Sequence, residues 1–322
     1  MSSGNFLSNS IVQGHIEIMK NNNLPDQTSG LSRRRAFKRL AAGALALSTV
    51  ATSSADDTKQ SELYKVRNGR VRQSVVSWCF NPMTPPELAG HAADLGMASV
   101  ELVGPEFWPE LTRRGLVCAI SPSHGWRTGF AHKEEHDACI QMLRTRIDQT
   151  AAAGFTNVIT FSGFRRGLTT EDATKNMVEG LKKITGYAEQ KNVTLCLEML
   201  NSRVNIDMRG HPDYFCDNMD HAVEICKQVG SERMKILFDI YHVQIMHGDL
   251  IRRIQQYHPY IAHYHTAGNP GRNEIDDSQE IHYPGVMKAI VETGYKGYVG
   301  QEFVPTRDKV ASLSEAVRIC DI

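Results

Sequence analysis

The stretch Met234-Lys-Ile-Leu-Phe-Asp239 is a short apolar run that ends on a carboxylate, and it sets the pattern of the chain. Its length and its branched and aromatic side chains are typical of a buried strand. Seven further runs have the same character: Gln73-Ser-Val-Val-Ser-Trp-Cys79, Ser99-Val-Glu-Leu-Val103, Leu116-Val-Cys-Ala-Ile120, Asn157-Val-Ile-Thr-Phe161, Val193-Thr-Leu-Cys-Leu-Glu198, Ile261-Ala-His-Tyr-His265 and Tyr298-Val-Gly-Gln-Glu302.

Helical patterns alternate with these runs, as in residues 136–153 and 170–190. Several of them end in a glycine just before the next strand, which is a common helix stop: Leu95-Gly96, Arg114-Gly115, Ala153-Gly154 and Thr293-Gly294. Strands that alternate with helices indicate an α/β fold with a parallel sheet. Eight such units predict a single (β/α)8 TIM barrel, whose usual length is about 250 residues. No G-x-G-x-x-G motif opens a helix, which disfavours a dinucleotide-binding open sheet.

The composition excludes several classes of protein. The 36 basic and 36 acidic residues give a formal charge of zero, which disfavours nucleic acid as a partner. No apolar run reaches the roughly 18 to 20 residues that cross a bilayer, because Gly43 and Ser48 interrupt the longest candidate, residues 40–51. The seven cysteines form no C-x-x-C pair, so neither a disulfide framework nor a zinc knuckle is indicated.

Residues 1–55 are expected to be an unstructured leader, and residues 56–322 the barrel domain. Arg34-Arg35-Ala36-Phe37 precedes a stretch of small, weakly apolar residues and resembles the core of a twin-arginine export signal, with a cleavage site at Ser53-Ser54-Ala55. The alternative is a basic amphipathic helix that docks on the domain. The signal implies export to the periplasm, whereas a non-functional leader implies a cytoplasmic protein.

Four successive predicted strands end on residues that can bind a metal or transfer a proton: Glu198, Asp239, His265 and Glu302. Each alone has an ordinary alternative, such as a helix cap, a core histidine or a partner for Arg307. A buried carboxylate is costly unless it is paired or bound to a cation, and catalytic groups of such barrels lie at the strand ends. Together the four therefore predict a site for Mn²⁺ or Mg²⁺, with Co²⁺ or Zn²⁺ also compatible.

Four further residues are weaker candidates for the same site. His242 lies three residues after Asp239 and is expected to project over the barrel mouth. Arg272 lies in the loop after His265, where a guanidinium could clamp a carboxylate, although pairing with Glu274 is the alternative. The remaining two are Glu101 and His124, on or after the second and third predicted strands.

Three other residues, polar or aromatic, are expected to have packing roles and not to take part in catalysis or substrate binding. His263 points to the same side as His265 but one layer deeper, which suits a barrel-filling residue or a donor to a ligand. Trp78 and Trp126 are expected in the core or at the rim.

The motifs at the strand ends resemble those of the xylose-isomerase-like TIM barrels, a family that includes hydroxypyruvate isomerases and ketose 3-epimerases. The resemblance covers roughly residues 70–320 and rests on Leu197-Glu198-Met-Leu-Asn201, Phe238-Asp239-Ile-Tyr-His242, His263-Tyr-His265-Thr-Ala-Gly268 and Gly300-Gln-Glu302-Phe303. It implies that Glu198, Asp239, His265 and Glu302 bind the metal, and that Glu198 and Glu302 also transfer protons. It further implies that His242 and Arg272 contact the substrate.

The loop Gly268-Asn-Pro-Gly-Arg272 looks most like that of the hydroxypyruvate isomerase branch. The implied reaction interconverts hydroxypyruvate and tartronate semialdehyde through an enediolate, with a small keto acid or sugar as the partner and with homo-oligomer formation left open. A ketose 3-epimerase is the enzymatic alternative, and an exported sugar- or metal-binding barrel is the non-enzymatic one. A Schiff-base aldolase would need a lysine at a strand end, and none is present. A related apurinic-site endonuclease would need a histidine-rich zinc centre.

Overall fold

A computed structural model describes residues 62–322, and the expected leader at residues 1–55 lies outside them. The described part of the chain contains seven strands that pair in parallel in the order β2-β1-β7-β6-β5-β4-β3. Their bounds are Arg72–Val76 (β1), Ser99–Glu101 (β2), Asn157–Thr160 (β3), Thr194–Glu198 (β4), Met234–Asp239 (β5), Ile261–Thr266 (β6) and Tyr298–Gln301 (β7). The predicted parallel α/β architecture is confirmed.

The third expected strand, Leu116–Ile120, is not a regular strand in the structure. It nevertheless lies between β2 and β3, because Val117 forms a parallel bridge with Ser99 on one side and Ser121 forms one with Val158 on the other. The N–H of Ala119 donates a hydrogen bond to the Ser99 hydroxyl, 2.9 Å away, instead of to a carbonyl oxygen of the neighbouring strand. This irregular segment joins the two edges of the seven-stranded sheet and closes the barrel.

Nine α-helices lie within residues 62–322. They are Pro85–Asp94 (α1), Trp108–Arg113 (α2), His136–Ala152 (α3), Thr170–Gln190 (α4), Met219–Val229 (α5), Ile240–Met246 (α6), Leu250–Tyr257 (α7), Tyr283–Glu292 (α8) and Lys309–Cys320 (α9). The four glycines expected to stop helices have φ angles of 74 to 80°. Glycine tolerates this left-handed conformation without steric cost, which explains why each helix ends there.

The strands are buried on both faces, as parallel strands covered by helices require. The apolar core is continuous from the barrel interior to the helices around it. All seven cysteines are buried free thiols. None of the helices within residues 62–322 is long and apolar enough to cross a membrane.

Candidate metal and active site

The four predicted strand-end residues come together at the carboxyl end of the barrel. Glu198 and Asp239 end β4 and β5, His265 is the penultimate residue of β6, and Glu302 directly follows β7. All four are buried, and one ligand atom from each lies within 4.8 Å of the others. The parallel pairing of Asp239 with His265, in neighbouring strands, places these two residues at the same level.

These four side chains approach one another without satisfying one another's hydrogen bonds. His265 Nδ1 lies 3.0 Å from Glu302 Oε2 and 3.5 Å from Glu198 Oε1. Even so, within residues 62–322 neither His265 Nδ1 nor Glu198 Oε1 has a hydrogen-bond partner of suitable geometry. Unpartnered buried oxygen and nitrogen atoms that converge on one point are what a cation site requires. The four residues could therefore hold a divalent metal ion.

The surroundings shift the pKa values of the two glutamates in opposite directions. Burial, followed by the charge of Glu302, raises the pKa of Glu198. Burial also acts to raise the pKa of Glu302, but Arg272 and His265 outweigh it and hold this pKa well below its usual range. Two carboxyl groups whose pKa values are pushed apart in one site are the arrangement from which acid–base pairs are built.

Arg272 lies inside the site, with only 4% of its surface exposed. Its Nη2 donates to Glu302 Oε2 at 2.6 Å, and its Nη1 donates to the carbonyl oxygen of Met208 at 3.0 Å. The alternative pairing with Glu274 does not form, because that carboxylate accepts from Thr306 and from residues further along the chain. Arg272 is therefore the buried counter-ion of a candidate metal ligand.

His242 does not project over the mouth as expected. Helix α6 begins at Ile240, directly after β5, and the Asp239 side chain caps it by accepting the N–H of His242 at 2.9 Å. This first turn holds His242 fully buried, with its Nδ1 accepting from the backbone and side-chain N–H groups of Asn201. Its Nε2 lies 3.8 Å from Asp239 Oδ2.

A cavity of about 470 Å³ opens above the four residues. Its wall includes Trp78, Leu102, His124, Trp126, Phe161, Leu200, Met208, His211 and Arg272, and its floor includes Glu198 and Glu302. His124 is part of this wall, with Nε2 2.9 Å from the Thr160 hydroxyl. The wall is largely apolar, with a few polar groups near the floor, as is usual for small-molecule sites.

Glu101 does not reach the cavity wall. It is fully buried beneath the four strand-end residues, beside His263, which occupies the deeper layer expected for it. Glu101 contacts the candidate ligand His265 from below, and His263 in turn contacts Glu101.

Two cavity residues were not identified as functional from the sequence. Trp78 Nε1 donates to Glu302 Oε1 at 3.3 Å. The His211 ring packs on Trp126 with ring centroids 4.4 Å apart, and burial lowers the pKa of His211 to about 4. Its Nδ1 has no partner within residues 62–322, which leaves a neutral hydrogen-bonding group in the wall. His211 lies in the irregular segment between β4 and α5, where no periodic pattern marks it.

The chain belongs to the xylose isomerase-like TIM barrel family, because the model of that family matches residues 89–320. This confirms the predicted fold and the resemblance seen in the strand-end motifs. A protein of Homo sapiens named "Putative hydroxypyruvate isomerase" is 34% identical over 244 residues, which are 74% of this chain and 81% of that protein.

A 2-oxo-tetronate isomerase of Cupriavidus necator is 35% identical over 136 residues, which are 42% of this chain and 50% of that protein. The match thus spans only half the length of this second relative. Among solved structures, an AP endonuclease of family 2 from Brucella melitensis has a TM-score of 0.67 at 24% identity, covering 76% of this chain and 97% of the other. At that identity the likeness shows the fold alone.

Proposed function

We propose that this protein is a divalent-metal-dependent isomerase of small 2-oxo acids, and that it interconverts hydroxypyruvate and tartronate semialdehyde. The observation that carries the proposal is the convergence of Glu198, Asp239, His265 and Glu302 on one point, with Glu198 and Glu302 at the floor of a cavity. The names of the two curated relatives support the isomerase class and a 2-oxo acid as the kind of substrate.

The donor set fits a hard cation, because it offers three carboxylates and one imidazole and no thiolate. Mn²⁺ and Mg²⁺ are the preferred ions, and Co²⁺ or Zn²⁺ would also be compatible. When bound, such an ion would polarise a substrate carbonyl and its neighbouring hydroxyl and so acidify the carbon that carries the hydroxyl.

The proton transfers are assigned to the two glutamates. One glutamate removes a proton from C3 of hydroxypyruvate, the other delivers a proton to C2, and the hydroxyl proton passes from O3 to O2, so that the carbonyl moves from C2 to C3. Glu302 is assigned the role of base, because it lies at the cavity floor and Arg272 holds its carboxylate in place with a contact of 2.6 Å. Glu198, the other carboxyl group at the cavity floor, is assigned the delivery of the proton to C2.

Orientation of the substrate is assigned to polar groups of the cavity wall. Arg272 Nε has no partner within residues 62–322 and is a donor available for the substrate carboxylate. His211 Nδ1 is a second polar group without a partner in the described chain, at the same cavity. The apolar wall formed by Trp78, Trp126 and Phe161 would exclude water from the reacting carbons.

A second candidate is a ketose 3-epimerase, which would use the same glutamates to invert one carbinol carbon. The observation that favours it is the cavity volume of about 470 Å³, which exceeds what a three-carbon acid fills.

The test is a substrate comparison with metal-reconstituted protein. Protein stripped with a chelator and reloaded with Mg²⁺ is incubated with hydroxypyruvate and, separately, with neutral ketoses, and the products are identified by chromatography. The proposal expects tartronate semialdehyde, formed only in the reloaded sample. Full activity after exhaustive chelation would contradict the metal dependence, and faster conversion of the neutral ketoses would replace the 2-oxo acid with a sugar.

A further inference from the structure

Glu101 connects two histidines at the bottom of the site. It ends β2, and its side chain crosses the barrel interior toward β6, which is not a neighbour of β2 in the sheet. Its Oε1 atom accepts from His265 Nε2 at 3.0 Å and from His263 Nε2 at 3.1 Å. All three side chains are fully buried.

The barrel leaves room for this contact at Gly300 on β7. A Cβ atom at this position would lie 1.9 Å from Glu101 Oε1 and 2.9 Å from His265 Cδ2, which is too close for any side chain. The glycine is therefore needed for Glu101 to reach His265. Two separate strands thus contribute to one contact, β2 through the carboxylate and β7 through the missing side chain.

The hydrogen bond from His265 determines which of its ring nitrogens carries the proton. A carboxylate can only accept, so the proton shared with Glu101 stays on Nε2. The other ring nitrogen, Nδ1, faces Glu198 and Glu302 and is the one that could bind a metal. A carboxylate that accepts from the far nitrogen of a ligand histidine fixes the tautomer and the ring orientation, and it raises the basicity of the ligand.

We propose that Glu101 is a positioning residue of the metal site, which holds His265 in the tautomer and orientation that present Nδ1 to the ion, and that His263 holds Glu101 in place. This inference rests on the proposed function, because it assumes that the four strand-end residues bind a metal. Glu101 acts through His265 and does not touch the substrate.

A second metal ion held by Glu101, His263 and His265 is the competing interpretation, since their ligand atoms also lie within 4.8 Å of one another. Such an ion would need the Nε2 lone pairs of both histidines. The geometry instead has both Nε2 atoms at hydrogen-bond distance from the same carboxylate oxygen, which suits two N–H donors and one acceptor. His265 would also have to bind metal through both ring nitrogens.

The experiment measures metal binding without reference to activity. Metal-free wild-type protein and the Glu101→Gln variant are titrated with Mn²⁺, with the free ion followed by electron paramagnetic resonance, and each is then saturated with Co²⁺ for its visible absorption spectrum. Glu101→Gln preserves shape and removes the charge, and we expect its Mn²⁺ affinity to fall by about 10- to 100-fold. We also expect an altered Co²⁺ spectrum at saturation, because the imidazole binds with changed basicity and orientation.

Two further variants separate positioning from general damage. His263→Leu leaves the Glu101 carboxylate without its second donor and is expected to weaken Mn²⁺ binding as well, and it provides the test if Glu101→Gln does not fold. Asp321→Asn is the matched control, because this buried carboxylate contacts the segment at residues 64–69 and not the site. Its Mn²⁺ affinity and Co²⁺ spectrum are expected to equal those of the wild type.

The outcomes distinguish failure of the proposed metal site from failure of the positioning role of Glu101. Wild-type protein that binds no Mn²⁺ would overturn the proposed function and this inference with it. One ion bound equally well by the wild type, Glu101→Gln and His263→Leu, with the same Co²⁺ spectrum, would overturn the role of Glu101 and leave the metal site standing. Two ions per wild-type chain, with one lost in Glu101→Gln, would replace the positioning role with a second metal site.

Discussion

Replacing Arg272 with methionine keeps most of the length of the side chain and removes the guanidinium that pairs with Glu302. The ion pair is short, with 2.6 Å between Nη2 and Oε2, and each side chain is 4% exposed. Breaking one partner of a buried pair destabilises a protein by about 3–5 kcal/mol, because the other charge stays buried without compensation. For a domain of this size each kcal/mol lowers Tm by about 2–4 °C, so we expect a decrease of roughly 6–20 °C.

The assay is thermal unfolding of metal-free protein at pH 7, with a chelator present so that no cation substitutes for the guanidinium. Arg307→Met is the matched control. Its side chain is 52% exposed and pairs with Asp276 and Glu315 near the surface, where such pairs contribute about 0–1 kcal/mol. If the Arg272 and Arg307 variants melt at the same temperature as the wild type, Arg272 is not the buried counter-ion described above.

The same variant tests the keto-acid assignment. Loss of a charge-assisted contact to the substrate carboxylate is expected to cost roughly 2 kcal/mol or more of transition-state binding, about a 30-fold decrease in kcat/KM for hydroxypyruvate. Steady-state kinetics of the Mg²⁺-loaded variant measure this. Unchanged kcat/KM for hydroxypyruvate would remove Arg272 from substrate recognition.

Three further changes have definite expected outcomes. Asp321→Asn should lower the free energy of unfolding by about 1–3 kcal/mol at pH 7, measured by urea unfolding. Burial acts to raise the pKa of Asp321, but the hydrogen bonds from the N–H groups of residues 67–69 outweigh it, and the net pKa is lowered. The stabilisation is therefore present above the ordinary pKa of an aspartate, and the difference from the wild type should vanish as the pH falls through the folded-state pKa. His211→Phe keeps the ring packing on Trp126 but loses the polar edge, and should decrease kcat/KM for hydroxypyruvate about tenfold with little change in Tm; equal kinetics would show that His211 only packs. Export is tested by Arg34→Lys with Arg35→Lys, which should retain the protein in the cytoplasm in cell fractionation, whereas identical fractionation of variant and wild type would contradict a twin-arginine leader.

Much of the barrel could be predicted from local patterns. The run Met234–Asp239 is a strand with the bounds expected for it, because a parallel strand covered on both faces is nearly continuously apolar; five of its six residues are buried, and only Lys235 is half-buried. The segment at Leu116–Ile120 has the same composition but is irregular. The N–H of Val100 donates to the carbonyl oxygen of Val117, and the N–H of Leu102 donates to that of Ile120. Three residue steps on this segment therefore face two steps on its partner, so the segment holds one extra residue, as in a β-bulge. Composition does not reveal such a bulge.

The residues of the candidate site were predictable where a side chain that can bind a metal or transfer a proton stands at the end of a strand. Glu198, Asp239, His265 and Glu302 each follow an apolar run, and the common direction of parallel strands then brings them together. Contacts between distant segments were not predictable in this way. The contact of Glu101 with His265 depends on a side chain that crosses the barrel, and no spacing in the sequence encodes that distance.

The side chains on loops were placed least well by the sequence. Arg272 was expected to clamp a substrate carboxylate or to pair with Glu274; the structure pairs it with Glu302 and pairs Glu274 with Thr306, and the substrate contact stays a prediction. His242 was expected at the mouth, but helix α6 begins directly after β5, and its first turn holds the His242 side chain in the protein interior. Loop conformation and helix starts depend on tertiary packing, which local sequence patterns do not contain.

The central claim is that one of the pair Glu198 and Glu302 removes a proton from C3 of a 2-oxo acid and the other delivers a proton to C2. Proton NMR of hydroxypyruvate in D₂O with Mg²⁺-loaded protein tests this claim most directly. Wild-type protein is expected to convert the C3 methylene signal into tartronate semialdehyde signals, with solvent deuterium appearing at C2 of the product. Glu302→Gln should abolish both changes, because an amide cannot take up the proton. Glu274→Gln, the same change at an equally buried glutamate outside the cavity wall, should retain them. Conversion by Glu302→Gln at the wild-type rate, or no exchange above the protein-free rate with wild type, would contradict the account.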